Sequence, residues 1–218
     1  MRENIIFDLG GVLLDLDMNL VQEKFRKAGA DASVFFDKSG AEGNATICNG
    51  LSASHLINDY QVGKMSTDEF VDIIKQHCDK RITTENIVDA WNACLVRLPE
   101  ERIEKIKELR GRGAHTYLLS NTNDLHWKFV EREFLSSEGA HAEDLFDNVF
   151  LSHEMHMAKP NREIYREVLS RIGCRGEECM FIDDSMANTE AAREEGIHSE
   201  WLDLTREDVV GLLVRKGL

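Results

Sequence analysis

The sequence predicts an α/β fold: a mostly parallel sheet flanked by helices, interrupted early by an all-helical stretch. Three observations lead there. From Pro99 onward, short apolar runs alternate with amphipathic helical segments, the pattern of βαβ units with right-handed crossovers. Residues 18 to 95 carry helical periodicity and no convincing strand. Three polar clusters, Asp8, Ser120-Asn121 and Asp183-Asp184, each directly follow an apolar run. They therefore fall at the carboxyl ends of strands, where the functional groups of such sheets gather.

Taken in order, Asn4 to Phe7 reads as a buried strand ending in Asp8, with Leu9-Gly10-Gly11 as a loop signal. Leu20, Val21 and Phe25 recur at helical spacing, as do Phe70, Ile73, Ile74 and His77, and Ser66-Thr67-Asp68-Glu69 supplies N-cap chemistry for the second run. Pro99 to Arg110 is a helix with proline in its first turn, ended by Gly111. Thr116 to Leu119 is a strand, Leu125 to Phe134 a helix and Asn148 to Leu151 a short strand. Glu163 to Ile172 is a helix stopped by Gly173, and Met180 to Ile182 a strand. A helix follows from about Asn188 to Glu195, and Ser199 to Leu202 is a last strand. Residues 136 to 144 are small and polar and read as a surface loop.

The length of 218 residues suits one substantial domain, or one carrying an insert, and 42% apolar with 30% charged residues is a globular composition. The formal charge of -14 repels nucleic-acid backbones and anionic lipid, so partners of those kinds are not expected. A local positive site for a small anion remains open. Five cysteines without a Cys-x-x-Cys pair indicate reduced thiols and a cytoplasmic setting. No signal-peptide core is evident, and no run approaches the roughly 20 apolar residues of a membrane span. His153-Glu154-Met155-His156 lacks zinc-site spacing and reads as surface histidines.

Carboxylates brought together raise one another's pKa, and such a cluster persists most readily around a cation. An oxygen-only donor set suits Mg²⁺, which takes one or two carboxylates together with waters and a phosphate. Lys159, next to the rigid Pro160, would find its partner in a phosphoryl oxygen, and the Ser120 hydroxyl could bind another. Aspartate is a competent nucleophile for an acyl-phosphate intermediate, so the chemistry predicted is phosphoryl transfer.

Four motifs in order then resemble the haloacid dehalogenase (HAD) superfamily of phosphatases. They are Phe7-Asp8-Leu9-Gly10-Gly11-Val12-Leu13, Leu118-Leu119-Ser120-Asn121-Thr122-Asn123, Lys159-Pro160 with Glu163-Ile164-Tyr165, and Phe181-Ile182-Asp183-Asp184-Ser185 with Asn188. The stretch from Ser120 to His126 and the Gly63-x-x-Ser66 element resemble the branch of α-D-glucose-1-phosphate phosphatase-like enzymes and the N-terminal phosphatase domain of soluble epoxide hydrolase. The resemblance implies a Rossmann-like, doubly wound core over 1–15 and 86–218, with a helical cap inserted at 16–85. Asp15 and Asp17 then belong to the cap hinge. It implies Asp8 as nucleophile, with Asp8, the Gly10 carbonyl and Asp184 around Mg²⁺ and Asp183 beside it. Ser120, Asn121 and Lys159 would hold the phosphoryl group, and Asn188 would brace the fourth motif.

The expected activity is Mg²⁺-dependent hydrolysis of a small phosphorylated metabolite, a sugar phosphate above all, by a monomer or homodimer. One departure stands out. Most of the family carries an acid-base aspartate two residues after the nucleophile, and this chain has Gly10 there. His126 and Asp183 are the candidates to replace it. The alternatives are a noncatalytic phosphometabolite sensor, which Gly10 alone favours, and a 2-haloacid dehalogenase, which the Asp183-Asp184 pair disfavours.

Overall fold

Successive side chains of the central strand are buried on opposite faces, and this organises the molecule. The structure, a computed structural model, describes residues 4–29, 53–136 and 139–218. Strand β1 (Asn4–Phe7) runs into a loop, then β2 (Asp15–Leu16) and helix α1 (Met18–Lys27). Helices α2 (Ala53–Gln61), α3 (Thr67–Gln76) and α4 (Thr84–Asn92) follow. The chain returns through β3 (Leu95–Arg97), which pairs antiparallel with β2. Next come α5 (Glu100–Gly111), β4 (His115–Ser120) and α6 (Asp124–Phe129), which continues as a π-helical turn over Val130–Leu135. Then follow α7 (Ala142–Leu145), β5 (Asn148–Leu151), α8 (Ser152–Met155), α9 (Arg162–Ile172) and β6 (Cys179–Asp183). Helix α10 (Met186–Glu194), β7 (His198–Trp201) and α11 (Val209–Arg215) complete the chain.

The sheet has five parallel strands in the order β5-β4-β1-β6-β7. Ile5, Phe7, Leu118 and Ile182 face the layer holding Ile103 and Ile106 of α5 and Leu212 of α11. Ile6, Leu119 and Phe181 face the layer holding Ile164 and Val168 of α9 and Ala192 of α10. With helices on both faces, the strands read as continuous apolar runs rather than alternating ones. The chain order reverses at β1, so the crevice outside its carboxyl end lies between β4 and β6.

The inserted helices pack among themselves and against the core. Tyr60 stacks on Phe70 with ring centroids 4.1 Å apart, and Phe70 meets the edge of Trp91 at 4.7 Å. Asp17 caps α1 by accepting from the Asn19 N–H, and capping boxes close α3 (Ser66, Glu69) and α4 (Thr83, Asn86). A relay joins insert to core: Leu125 N–H donates to the Tyr60 hydroxyl (3.3 Å), which is 2.9 Å from the Thr67 hydroxyl, which donates to Asp124 (2.8 Å). The buried Ser152 hydroxyl accepts from Thr122 N–H (2.9 Å) and lies 2.6 Å from the Gln61 carbonyl. Gly63 has a left-handed φ of 66°, and a Cβ there would lie 2.0 Å from the His153 carbonyl.

Several expectations change. An insert ending at residue 85 would cut α4 inside its first turn, yet α4 packs on α1 and α3. Most of the gap between α1 and α2 lies outside the described residues. The β2–β3 ribbon escapes the sequence because two or three residues carry no readable period. The helix expected over 125–134 changes to π geometry at Val130. The loop expected over 136–144 closes into α7, because Asp144 accepts from the His141 N–H (2.8 Å) and Leu145 is buried; residues 137 and 138 lie outside the described set. Asp15 of β2 forms ion pairs with Arg97 of β3 and Arg102 of α5 at 3.0 and 2.8 Å. No helix among the described residues is long and apolar enough to cross a membrane.

Candidate active site

Asp8 leaves β1 with its N–H still bonded to the Ile182 carbonyl at 2.9 Å, so the sheet places its backbone. The following loop is tied by its own hydrogen bonds. The Leu9 carbonyl accepts from Leu13 and Leu14 N–H, and Gly11 N–H donates to the Leu14 carbonyl, all at 2.8 Å. The Gly10 carbonyl accepts no hydrogen bond from the described residues.

Lys159 is the electrostatic centre. Its ammonium is 2.7 Å from an Asp8 oxygen, 2.7 Å from an Asp183 oxygen and 2.9 Å from the Leu119 carbonyl, with its side chain only 1% exposed. Its three hydrogens thus meet three acceptors. Burial disfavours its charge, but Asp8 and Asp183 outweigh that and hold its pKa above the usual lysine value. For Asp8, burial is the largest influence; Lys159 opposes it, Asp183 adds to it, and the carboxyl is pushed up to about 7. Asp184 is also raised, by burial and then by Asp183, with Lys159 opposing.

Asp183 and Asp184 are adjacent in sequence but differently placed. Asp183 is fully buried, and Ser185 N–H (2.8 Å), the Asn188 amide (2.9 and 3.1 Å) and Lys159 all donate to it. Asp184 is half-buried and keeps its carboxylate free of such bonds, while its backbone carbonyl accepts from Trp201 Nε1 at 2.9 Å. Carboxylate oxygens of Asp8, Asp183 and Asp184 lie within 4.8 Å of one another, the one such metal-ligand grouping among the described residues.

This donor set fits a hard divalent cation. Asp8, Asp184 and the unpartnered Gly10 carbonyl are oxygen donors, whereas the oxygens of Asp183 are already engaged by protein donors. Gly11 supplies a second observation. Its φ is +78°, and a Cβ there would lie 2.3 Å from Asp184 Oδ2, so only glycine lets that carboxylate approach the loop. Gly11→Ala is expected to weaken Mg²⁺ binding about 10–100-fold, the range seen when a metal ligand loses its support. Titration calorimetry with Mg²⁺ alone reads this directly, and unchanged affinity would remove Asp184 from the site.

The remaining predicted residues divide. Ser120 ends β4, and its hydroxyl has no hydrogen-bond partner among the described residues, leaving it available to a ligand. Asn121 is otherwise engaged: its carboxamide bonds the backbone of Lys159 at 2.8 and 2.9 Å, leaving one amide hydrogen for anything else. His126 is not brought to the carboxylates. Its ring stacks on Trp91 at 5.3 Å, with Nε2 3.1 Å from the Trp91 carbonyl and Nδ1 3.2 Å from the Asn123 amide. Burial pushes its pKa down to about 4, partly opposed by the Trp91 carbonyl, so the ring is neutral near pH 7 and its one N–H is held by that carbonyl. Asp183 has both oxygens engaged by three donor groups, Ser185 N–H, the Asn188 amide and the Lys159 ammonium. At Gly10, a Cβ would meet Leu16 Cδ1 at 2.7 Å; an apolar side chain, 44% exposed, covers that position.

Sequence reasoning missed Gly11, the Leu119 carbonyl and Ser152. The Gly10-Gly11 doublet was the available signal for the first. A backbone carbonyl has no signature in a sequence, and Ser152 follows a strand as any capping serine would.

Comparison with known proteins follows the same lines. A model of haloacid dehalogenase-like hydrolases matches residues 3–196. A D-ribitol-5-phosphate phosphatase from Bacteroides thetaiotaomicron is 30% identical over 200 residues, covering 91% of each chain. A solved HAD family enzyme from Bacteroides thetaiotaomicron, in complex with magnesium and inorganic phosphate, is similar with a TM-score of 0.83 at 33% identity, covering 97% of this chain and 99% of its own. A HAD-like family hydrolase from Porphyromonas gingivalis has a TM-score of 0.82 at 29% identity, covering 99% and 98%.

Proposed function

The chain belongs to the haloacid dehalogenase-like hydrolase family, and from that premise we propose that it is a phosphatase of a small phosphorylated polyol or sugar, acting through a phosphoryl group carried on Asp8. The observation that supports this most is the shared ammonium of Lys159, 2.7 Å from both Asp8 and Asp183 at the carboxyl edge of the sheet. It lies beside the nucleophile, where the charge of a transferring phosphoryl group would develop. The similarity to a ribitol phosphate phosphatase supports the substrate class.

Asp8, Asp184 and the Gly10 carbonyl would hold Mg²⁺, which when bound supplies positive charge to the phosphoryl oxygens. Lys159 orients an Asp8 oxygen and then binds an equatorial phosphoryl oxygen, and the Ser120 hydroxyl donates to another. An Asp8 oxygen forms the bond to phosphorus as the bond to the leaving oxygen breaks. Water then attacks phosphorus, releasing phosphate and regenerating Asp8. Ser185 N–H and Asn188 hold Asp183, and Asp183 in turn fixes Lys159. Leu16 over Gly10 leaves no acidic side chain at that position, so the leaving oxygen takes its proton from solvent. Without an acid at that position the rate is expected to rise with leaving-group quality, anomeric and aryl phosphates reacting faster than a primary alkyl ester such as ribitol 5-phosphate.

Phosphate release from a panel spanning ribitol 5-phosphate, glucose 1-phosphate and an aryl phosphate, with Mg²⁺ and with EDTA, tests this. Release that requires Mg²⁺ is expected. No release by folded protein that still binds inorganic phosphate would transfer the assignment to a noncatalytic sensor, the reading that Gly10 favours.

A further inference from the structure

We propose that Asn121 is a positioning residue, whose carboxamide grips the backbone of Lys159 and thereby keeps the ammonium between Asp8 and Asp183. The inference rests on the phosphatase reading for its kinetic form only.

The geometry is a two-point clamp. Asn121 Nδ2 donates to the Lys159 carbonyl at 2.8 Å, and the Lys159 N–H donates to Asn121 Oδ1 at 2.9 Å. Neither group of Lys159 has another partner among the described residues, and a buried main-chain pair left open is unfavourable. A carboxamide is the side chain that presents a donor and an acceptor side by side, so Asn121 supplies what a neighbouring strand would supply. Lys159 lies beyond the last turn of α8, in a segment with no strand partner of its own. The end of β4 therefore holds both ends of this lysine. The Leu119 carbonyl takes the ammonium at 2.9 Å, the Asn121 side chain takes the main chain, and Ser120 between them keeps a free hydroxyl for the ligand. A long flexible stem transmits any backbone shift to its head, and displacement of a catalytic group by about 1 Å can lower the rate about 10²-fold. This differs from direct phosphate binding by the Asn121 side chain, which predicts an effect independent of Lys159.

A double-mutant cycle separates the two. Wild type, Asn121→Ala, Lys159→Met and the double variant are compared by kcat/KM in Mg²⁺ and by calorimetric affinity for inorganic phosphate. Asn121→Ala is expected to lower kcat/KM about 10–10²-fold. In the Lys159→Met background the same change should alter it less than about twofold, because the group through which it acts is gone. An equal loss in both backgrounds, or no loss in the wild-type background, overturns the proposal. If thermal melts show that Asn121→Ala has lost its fold, Asn121→Asp takes its place. That variant keeps the acceptor but sets a carboxylate against the Lys159 carbonyl, and wild-type activity in it would equally overturn the proposal. An inactive wild type counts against the phosphatase reading, and the cycle then runs on phosphate affinity alone.

Discussion

Asp8→Asn lowers phosphate release by at least about 10⁴-fold at saturating Mg²⁺, because an amide oxygen in its place cannot form the bond to phosphorus. Steady-state release against wild type, on whichever substrate the panel ranks first, is the measurement; a residual rate within tenfold would remove Asp8 as the nucleophile. The same substitution separates chemistry from stability. Burial raises the Asp8 carboxyl from 3.8 to about 7 in the folded protein without metal. Between those values the folded state holds a proton that the unfolded state has released, so stability from this group falls as pH rises through the window and levels above it. In EDTA the wild type should lose stability from pH 4 to 7 more steeply than Asp8→Asn, read as denaturant midpoints.

Lys159→Met is expected to damage both activity and fold. Activity should fall about 10²–10³-fold, the scale for removing one preorganised donor from a developing negative charge. Stability should fall by about 3–5 kcal/mol in EDTA, since truncating one partner of a buried charge group leaves the others uncompensated. The two carboxylates left facing each other are those of Asp8 and Asp183, with no other cation in contact among the described residues. Mg²⁺ should therefore restore more stability to the variant than it adds to wild type. Chemical denaturation with and without Mg²⁺ checks this, and equal Mg²⁺ stabilisation of both proteins would contradict the shared role of the lysine and the metal.

Much of this site is legible in sequence for a simple reason. Asp8, Ser120 and Asp183 each end an apolar run, and a fully covered parallel strand reads as such a run with its polar terminus at the carboxyl edge. The order of those strands in space is not legible, because parallel neighbours are joined by crossovers that carry no pairing signal. The surroundings of His126 and Asn121 are not legible, for a different reason. Both are polar residues just beyond β4, where ligand and protein partners look alike in a sequence. Only packing reveals that Trp91 covers one and that the backbone of Lys159 occupies the other. The helices between β2 and β3 are legible, but the pairing of those two short strands is not, because two or three residues carry no period.

The central place of β1 also bears on how the protein is made. Its register pairs Asn4 with His115 on one side and with Cys179 on the other. The strand that leads into Asp8 is therefore synthesised long before either neighbour, and its second neighbour is followed only by β7 and the helices around it. Contacts so distant along the chain form slowly, because loop closure precedes the stabilisation they bring. During translation β1 has no edge to join until β4 emerges, and Lys159 and Asp183 reach Asp8 later still. The cluster of Asp8, Lys159 and Asp183 is thus assembled only when nearly all of the chain is present, so incomplete chains hold its parts without its geometry.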